Sequence, residues 1–136
     1  MQDENYDVYV DTVILGMHDQ NMTKNALVAY VVRGVEELKR VEKVDAKETD
    51  DAEYEAILFA IHELKSRLKR FTIICDHQSV VSEANKDSKD TPSTNPRLSE
   101  IRKQLADSDS NITLKWFEKN PAHTLLNEYL IDKEKN

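Results

Sequence analysis

Three acidic residues stand where an acid is costly. Asp11 falls inside the apolar run YDVYVDTVIL (residues 6–15). Glu53 shares a stripe with Ile57, Ile61 and Leu64, and Asp76 follows the apolar run FTIIC (71–75). An unpaired carboxylate among such neighbours costs several kcal/mol or takes up a proton, so each must be solvated, hydrogen-bonded or bound to a cation. Brought together, like charges raise one another's pKa unless a cation neutralises them. Hard oxygen ligands select Mg2+ or Mn2+. Two such ions about 4 Å apart activate a water and stabilise the leaving oxygen of a phosphodiester. Hydrolysis of a nucleic-acid backbone is therefore the chemistry this set suits. Each acid also has a plainer reading: Asp50-x-x-Glu53 as a capping pair, Asp76 as the N-cap of a following helix, and Asp11 as an edge or bulge acid in water.

Hydrophobic period defines the elements that must position these residues. From Tyr6 to Leu15 the side chains alternate, with Val8 and Val10 on one side and Tyr9, Asp11 and Val13 on the other, as in a strand. A polar turn is expected around Gly16–Lys24. Ala26–Val32, rich in β-branched residues, is a second strand that Gly34 ends. A third, more charged strand falls within Val35–Val44, where the spacing also suits a short helix. Between Thr49 and Leu68 the period changes to three and four through Glu53, Ile57, Ile61, Leu64 and Leu68, predicting a helix with Asp50 and Asp51 at its positive end. Phe71–Cys75 reads as a strand buried on both faces. A short helix (His77–Asn85), a polar linker (Lys86–Thr94), a helix over Pro96–Ala106 and a strand through Ile112, Leu114, Trp116 and Phe117 follow. Asn120-Pro121 opens a terminal helix. Three strands, helix, strand, helices, strand, helix describe an α/β fold: a mixed sheet with an antiparallel and a parallel half, covered by helices.

With 136 residues the chain suits one domain, expected over residues 6–131 between polar termini at 1–5 and 132–136. Nineteen basic against 26 acidic residues give a net charge of −7; with 33% charged and 39% hydrophobic residues, this balance suits neither a disordered tail nor a membrane span. The start, Met1-Gln2-Asp3-Glu4-Asn5, lacks the basic and apolar regions of a secretory signal, so a cytoplasmic location is expected. A lone Cys75 agrees with a reducing compartment. Cys75 and His77 do not make a nucleophilic pair, because no third group orients them. The acidic balance confines any nucleic-acid contact to local patches. Lys65, Arg67, Lys69 and Arg70, and Arg97, Arg102 and Lys103, read as solvated helix faces. Trp116, among alternating apolar residues, is expected in the core, with base stacking as the alternative.

The segments VYVD, ending in Asp11, AEYEAILFAIHEL, containing Glu53, and IICDHQSVV, containing Asp76, resemble the ribonuclease H-like domains, particularly their plant and archaeal branch. The resemblance spans roughly residues 6 to 131. It implies a five-stranded mixed sheet (three antiparallel, two parallel strands) flanked by helices. It also implies two Mg2+ or Mn2+ ions held by Asp11, Glu53 and Asp76, and hydrolysis of the RNA strand of an RNA–DNA hybrid. A catalytically weakened module that binds nucleic acid or a protein is the alternative. Thr12 follows Asp11 where the family has glycine. The family's fourth carboxylate lies in a pattern like N-x-x-A-D-x-L-A, here NPAHTLLNEYL; one alignment places Asn127 at that position and another Glu128. His123 matches a histidine that aids product release in some members. Ser79 and Asn85 are further candidates for substrate contact.

Overall fold

The computed structural model describes residues 5–15, 26–46, 48–107, 111–118 and 120–135, with side chains up to residue 131. The expected turn at 16–24, and the expected polar termini apart from residue 5 and the backbone of 132–135, lie outside the described residues. The elements are β1 (Tyr6–Ile14), β2 (Ala26–Val32), β3 (Lys39–Val44), α1 (Thr49–Leu64), β4 (Arg70–Cys75), α2 (Gln78–Ala84), α3 (Pro96–Ala106), β5 (Asn111–Trp116) and α4 (Pro121–Lys135). The five strands form one sheet in the order β3-β2-β1-β4-β5. The first three are antiparallel, whereas β4 runs parallel to both β1 and β5. This is the mixed sheet expected from the element order, with the five strands that the resemblance to ribonuclease H-like domains implied.

Alternation along β1 divides the molecule into two layers. Val8 and Val10 enter the main core with Val28, Val32, Ile57, Ile61, Leu64, Phe71 and Ile73, beneath α1. On the opposite face, Leu27 and Ala29 meet Leu126 of α4, while Tyr9 and Ile74 meet its Ala122. β4, buried from Ile73 to Cys75, has cover on both faces, which is why it reads as an unbroken apolar run. No helix among the described residues is long and apolar enough to cross a membrane.

Several boundaries and two burial expectations differ from the sequence reading. The third strand starts at Lys39, not Val35, and the helical alternative is absent there. Residues 33–38 turn tightly, with Gly34 at φ 83°, Val35 N–H donating to Val32 O (3.2 Å) and Val32 N–H to Leu38 O (3.0 Å). Helix α1 stops at Leu64, whose carbonyl accepts from both Arg67 and Leu68 N–H. Leu68 still packs into the core, so the stripe outlasts the helix. The last strand ends at Trp116, leaving Phe117 outside. Trp116 is 42% exposed, not in the core. It has the correct strand parity but lies at the strand's end, where its indole N–H donates to Asp76 O (3.2 Å).

Arg102 is the second burial correction: it is 5% exposed, not part of a solvated face. Its Nε and Nη2 donate to Glu83 O at 3.1 and 2.9 Å, and Nη1 donates to Thr91 O, tying the end of α2 and the 86–94 linker to α3. Replacing it with a residue that cannot donate leaves both carbonyls without these bonds. Arg102→Met should therefore lower unfolding stability by about 2 kcal/mol, read as a lower urea midpoint at unchanged slope.

Candidate active site

The parallel pairing of β1 with β4 runs from Tyr6↔Phe71 to Tyr9↔Ile74, whereas its antiparallel pairing with β2 continues to Ile14↔Ala26. Beyond Tyr9, β1 therefore borders a notch where β4 ends. In α/β sheets, ligands bind in the crevice at such strand ends. Asp11 stands two residues past the last β4 partner, on the Tyr9 side of the strand, and is 5% exposed. Asp76 leaves the end of β4 and is exposed. Glu53 approaches from the first turns of α1 and is 5% exposed. Ligand atoms of Glu53, Cys75 and Asp76 all lie within 4.8 Å of one another.

The plainer readings of the acids do not describe this geometry. Asp11 lies on the central strand of the sheet, not on an edge. The N-cap of α1 is Glu48 and that of α2 is His77, and neither helix has a side-chain cap bond. Glu53 instead accepts a hydrogen bond from the Cys75 thiol (3.4 Å) inside the protein.

Burial controls the ionisation of this group. Glu53 is pushed up to about 8, first by desolvation and then by the neighbouring Asp11 and Asp76 charges, with the Cys75 bond opposing. Asp11 is also raised by burial and by Asp76, partly offset by the Thr12 backbone and His123. Burial and the adjacent Glu53 raise Cys75 strongly, so it is a closed thiol, not a nucleophile. The oxygen-rich donor set, two of its members desolvated, fits a hard divalent cation. Asp11, Glu53 and Asp76 are the residues that could hold one.

Helix α4 contributes differently from either alignment of the sequence. Its His123 Nδ1 lies 3.0 Å from Asp11 Oδ2. Asn127 and Glu128 are both exposed. At about 100° per residue, Asn127 stands roughly 40° from His123 around the helix and Glu128 roughly 140°. Asn127 thus shares the His123 flank, and Glu128 does not.

Sequence reasoning missed how this helix is anchored. Asn120 Oδ1 caps it by accepting from Ala122 N–H (3.0 Å), while Asn120 Nδ2 donates to Val10 O (2.7 Å), one residue before Asp11. The only signal was the Asn-Pro pair, which marks a helix start but not what the Asn side chain grips. Other candidates are engaged elsewhere. Asn85 Nδ2 donates to Leu114 O (3.0 Å), and Ser79 Oγ lies 3.1 Å from His77 Nδ1. His77 Nε2 in turn lies 3.2 Å from Asp50 Oδ1, fixing the β4–α2 corner against α1.

A family described as reverse transcriptase-like matches residues 21–128 of this sequence. The chain belongs to that family. It is a ribonuclease H-like domain, and solved structures agree on the fold. The ribonuclease H1 of the halophilic archaeon Halobacterium salinarum superposes with a TM-score of 0.65 at 17% identity, covering 95% of this chain and 99% of that one. The LC11 ribonuclease H1, isolated from compost by a metagenomic approach and solved in complex with an RNA/DNA hybrid, gives 0.66 at 20% identity, covering 97% and 100%. The ribonuclease H domain of prototype foamy virus gives 0.64 at 19% identity, covering 92% and 90%. No curated relative matches the sequence.

The raised Glu53 value has a measurable consequence in metal-free protein. The folded state keeps this proton up to about pH 8, whereas the unfolded chain releases it near its ordinary 4.5. The stability it contributes is full below the lower value and is lost as pH rises through the upper one. In chelator-treated protein the Tm should fall between about pH 5 and 8, and Glu53→Gln should flatten that slope.

Proposed function

We propose that this domain, acting over residues 6–131, is a metal-dependent endonuclease that hydrolyses phosphodiester bonds in the RNA strand of RNA–DNA hybrids. The observation that carries the reading is the convergence at the notch: Glu53 and Asp76 ligand atoms within 4.8 Å, with the charge of Asp11 acting on Glu53. The family and the hybrid-bound LC11 structure support the substrate class.

Asp11, Glu53 and Asp76 would hold the Mg2+ or Mn2+ ions. When bound, these ions supply an activated water and stabilise the leaving oxygen. The chain's own residues set the conditions. Exposed Asp76 meets the substrate side, buried Asp11 and Glu53 hold fixed positions behind it, and an ionised Glu53 oxygen orients the attacking water. Asn127, on the His123 flank, is the better placed of the two later α4 candidates for an outer ion. Trp116, held beside Asp76 by its indole N–H, offers a flat face on which a base can stack.

Purified protein with Mg2+ or Mn2+ should nick a labelled RNA–DNA hybrid, and Asp76→Asn should reduce cleavage by on the order of 10²- to 10³-fold or more. Cleavage that survives this change rejects the proposed role of Asp76. Trp116→Ala should raise KM for the hybrid more than it lowers kcat, because stacking on a base gives about 1–3 kcal/mol of binding that persists through the reaction.

One observation favours a second reading. A histidine, not a carboxylate, reaches Asp11 from α4, so three carboxylates offer at most three negative charges to two divalent ions. A weakened or noncatalytic module that binds nucleic acid or a protein follows if the second ion is not retained. It predicts no cleavage with either metal, whereas tight stoichiometric Mn2+ binding counts against it.

A further inference from the structure

The first turn of α4 places an imidazole, not an oxygen donor, directly against the buried Asp11. His123 Nδ1 and Asp11 Oδ2 are 3.0 Å apart, and the His123 side chain is 68% exposed while that of Asp11 is 7% exposed. The contact is constructed from several bonds. Asn120 fixes the helix start to Val10 O, and the buried Ala122 seats it against Tyr9 and Ile74, so the residue after Ala122 is directed at the notch. A spacing of 3.0 Å fits a hydrogen bond. It also matches the separation of two adjacent ligands on one octahedral ion with bonds of about 2.1 Å.

From this placement we infer that His123 is a metal ligand, sharing one ion with Asp11 and making this a mixed nitrogen–oxygen site that favours Mn2+ over Mg2+. The inference rests on the proposed metal-dependent function and specifies which ion that site retains. In the ligating form the ring is neutral, with Nδ1 toward the ion and the proton on Nε2. Nitrogen donors discriminate against Mg2+, which takes oxygen ligands, and favour first-row transition ions. Because imidazole brings no charge, the ion it holds is less fully neutralised than one held by a further carboxylate. The mixed site therefore compensates for missing charge by donor type.

The test uses the full chain freed of metal and reloaded with Mn2+ or Mg2+ at one fixed pH. Pulsed electron paramagnetic resonance of the Mn2+ form should show the hyperfine coupling of a directly bound imidazole nitrogen. His123→Ala should abolish that coupling and weaken Mn2+ binding by roughly tenfold or more in calorimetry. His123→Asp should also lack the coupling, while shifting the ratio of Mn2+ to Mg2+ affinity toward Mg2+. Mn2+ binding that is lost in Asp76→Asn but shows no nitrogen coupling in the unmodified chain overturns this inference and leaves the nuclease proposal standing. Coupling that survives His123→Ala also overturns it, since another histidine is then the donor. No Mn2+ binding in the unmodified chain, or binding indifferent to Asp76→Asn, overturns both proposals together.

Discussion

The organisation of this molecule depends on one electrostatic constraint: carboxylates brought to the end of a buried strand must find a counter-charge or keep their protons. Asp11 and Glu53 are almost completely screened from water, and Asp76 stands at the mouth of the same notch. Burial is the largest cause of the raised values of both buried acids, ahead of repulsion from neighbouring carboxylates. A fold that tolerates this arrangement carries a local cost that a divalent cation would relieve. That cost falls on the stability of the folded state.

The scaffold around the notch is correspondingly well fastened. β1 is central in the sheet, so Asp11 is fixed by a strand paired with β2 on one side and, up to Tyr9, with β4 on the other. α1 sits on the Val8–Val10 face and carries Glu53 in its second turn, while α4 sits on the opposite face and starts beside Val10. The two helices thus reach the same notch from opposite sides of the sheet. The end of β4 beside Tyr9 leaves the notch open to side chains from both helices.

Much of this was legible in the sequence because it rests on local periodicity. The two-residue alternation of β1 put Asp11 opposite Val8 and Val10, and the three-and-four period of α1 put Glu53 on the inward stripe with Ile57 and Ile61. The unbroken run before Asp76 implied a strand covered on both faces. Trp116 misled because alternation records which side a residue takes, not whether anything covers it at a strand's end. Arg102 misled for a related reason: its charge suggested solvent, while its partners, the Glu83 and Thr91 carbonyls, are distant in sequence. The Asn120 tether to Val10 spans 110 residues and leaves no periodic trace.

The sequence by itself determined the order of elements, the mixed sheet and the inward placement of Asp11 and Glu53, with Asp76 at the end of a buried strand, since each follows from patterns spanning a few turns or one strand. The tertiary structure alone decided which side chain of the last helix meets Asp11. Both alignments of NPAHTLLNEYL sought an acid or its amide near residues 127 and 128. The helix is instead placed by its first residues, through the Asn120 cap and the Ala122 contact, and that placement directs His123 to the notch. Helical phase can be read along one chain. The position from which that phase starts is set by contacts with other elements, so it became visible only in the folded molecule.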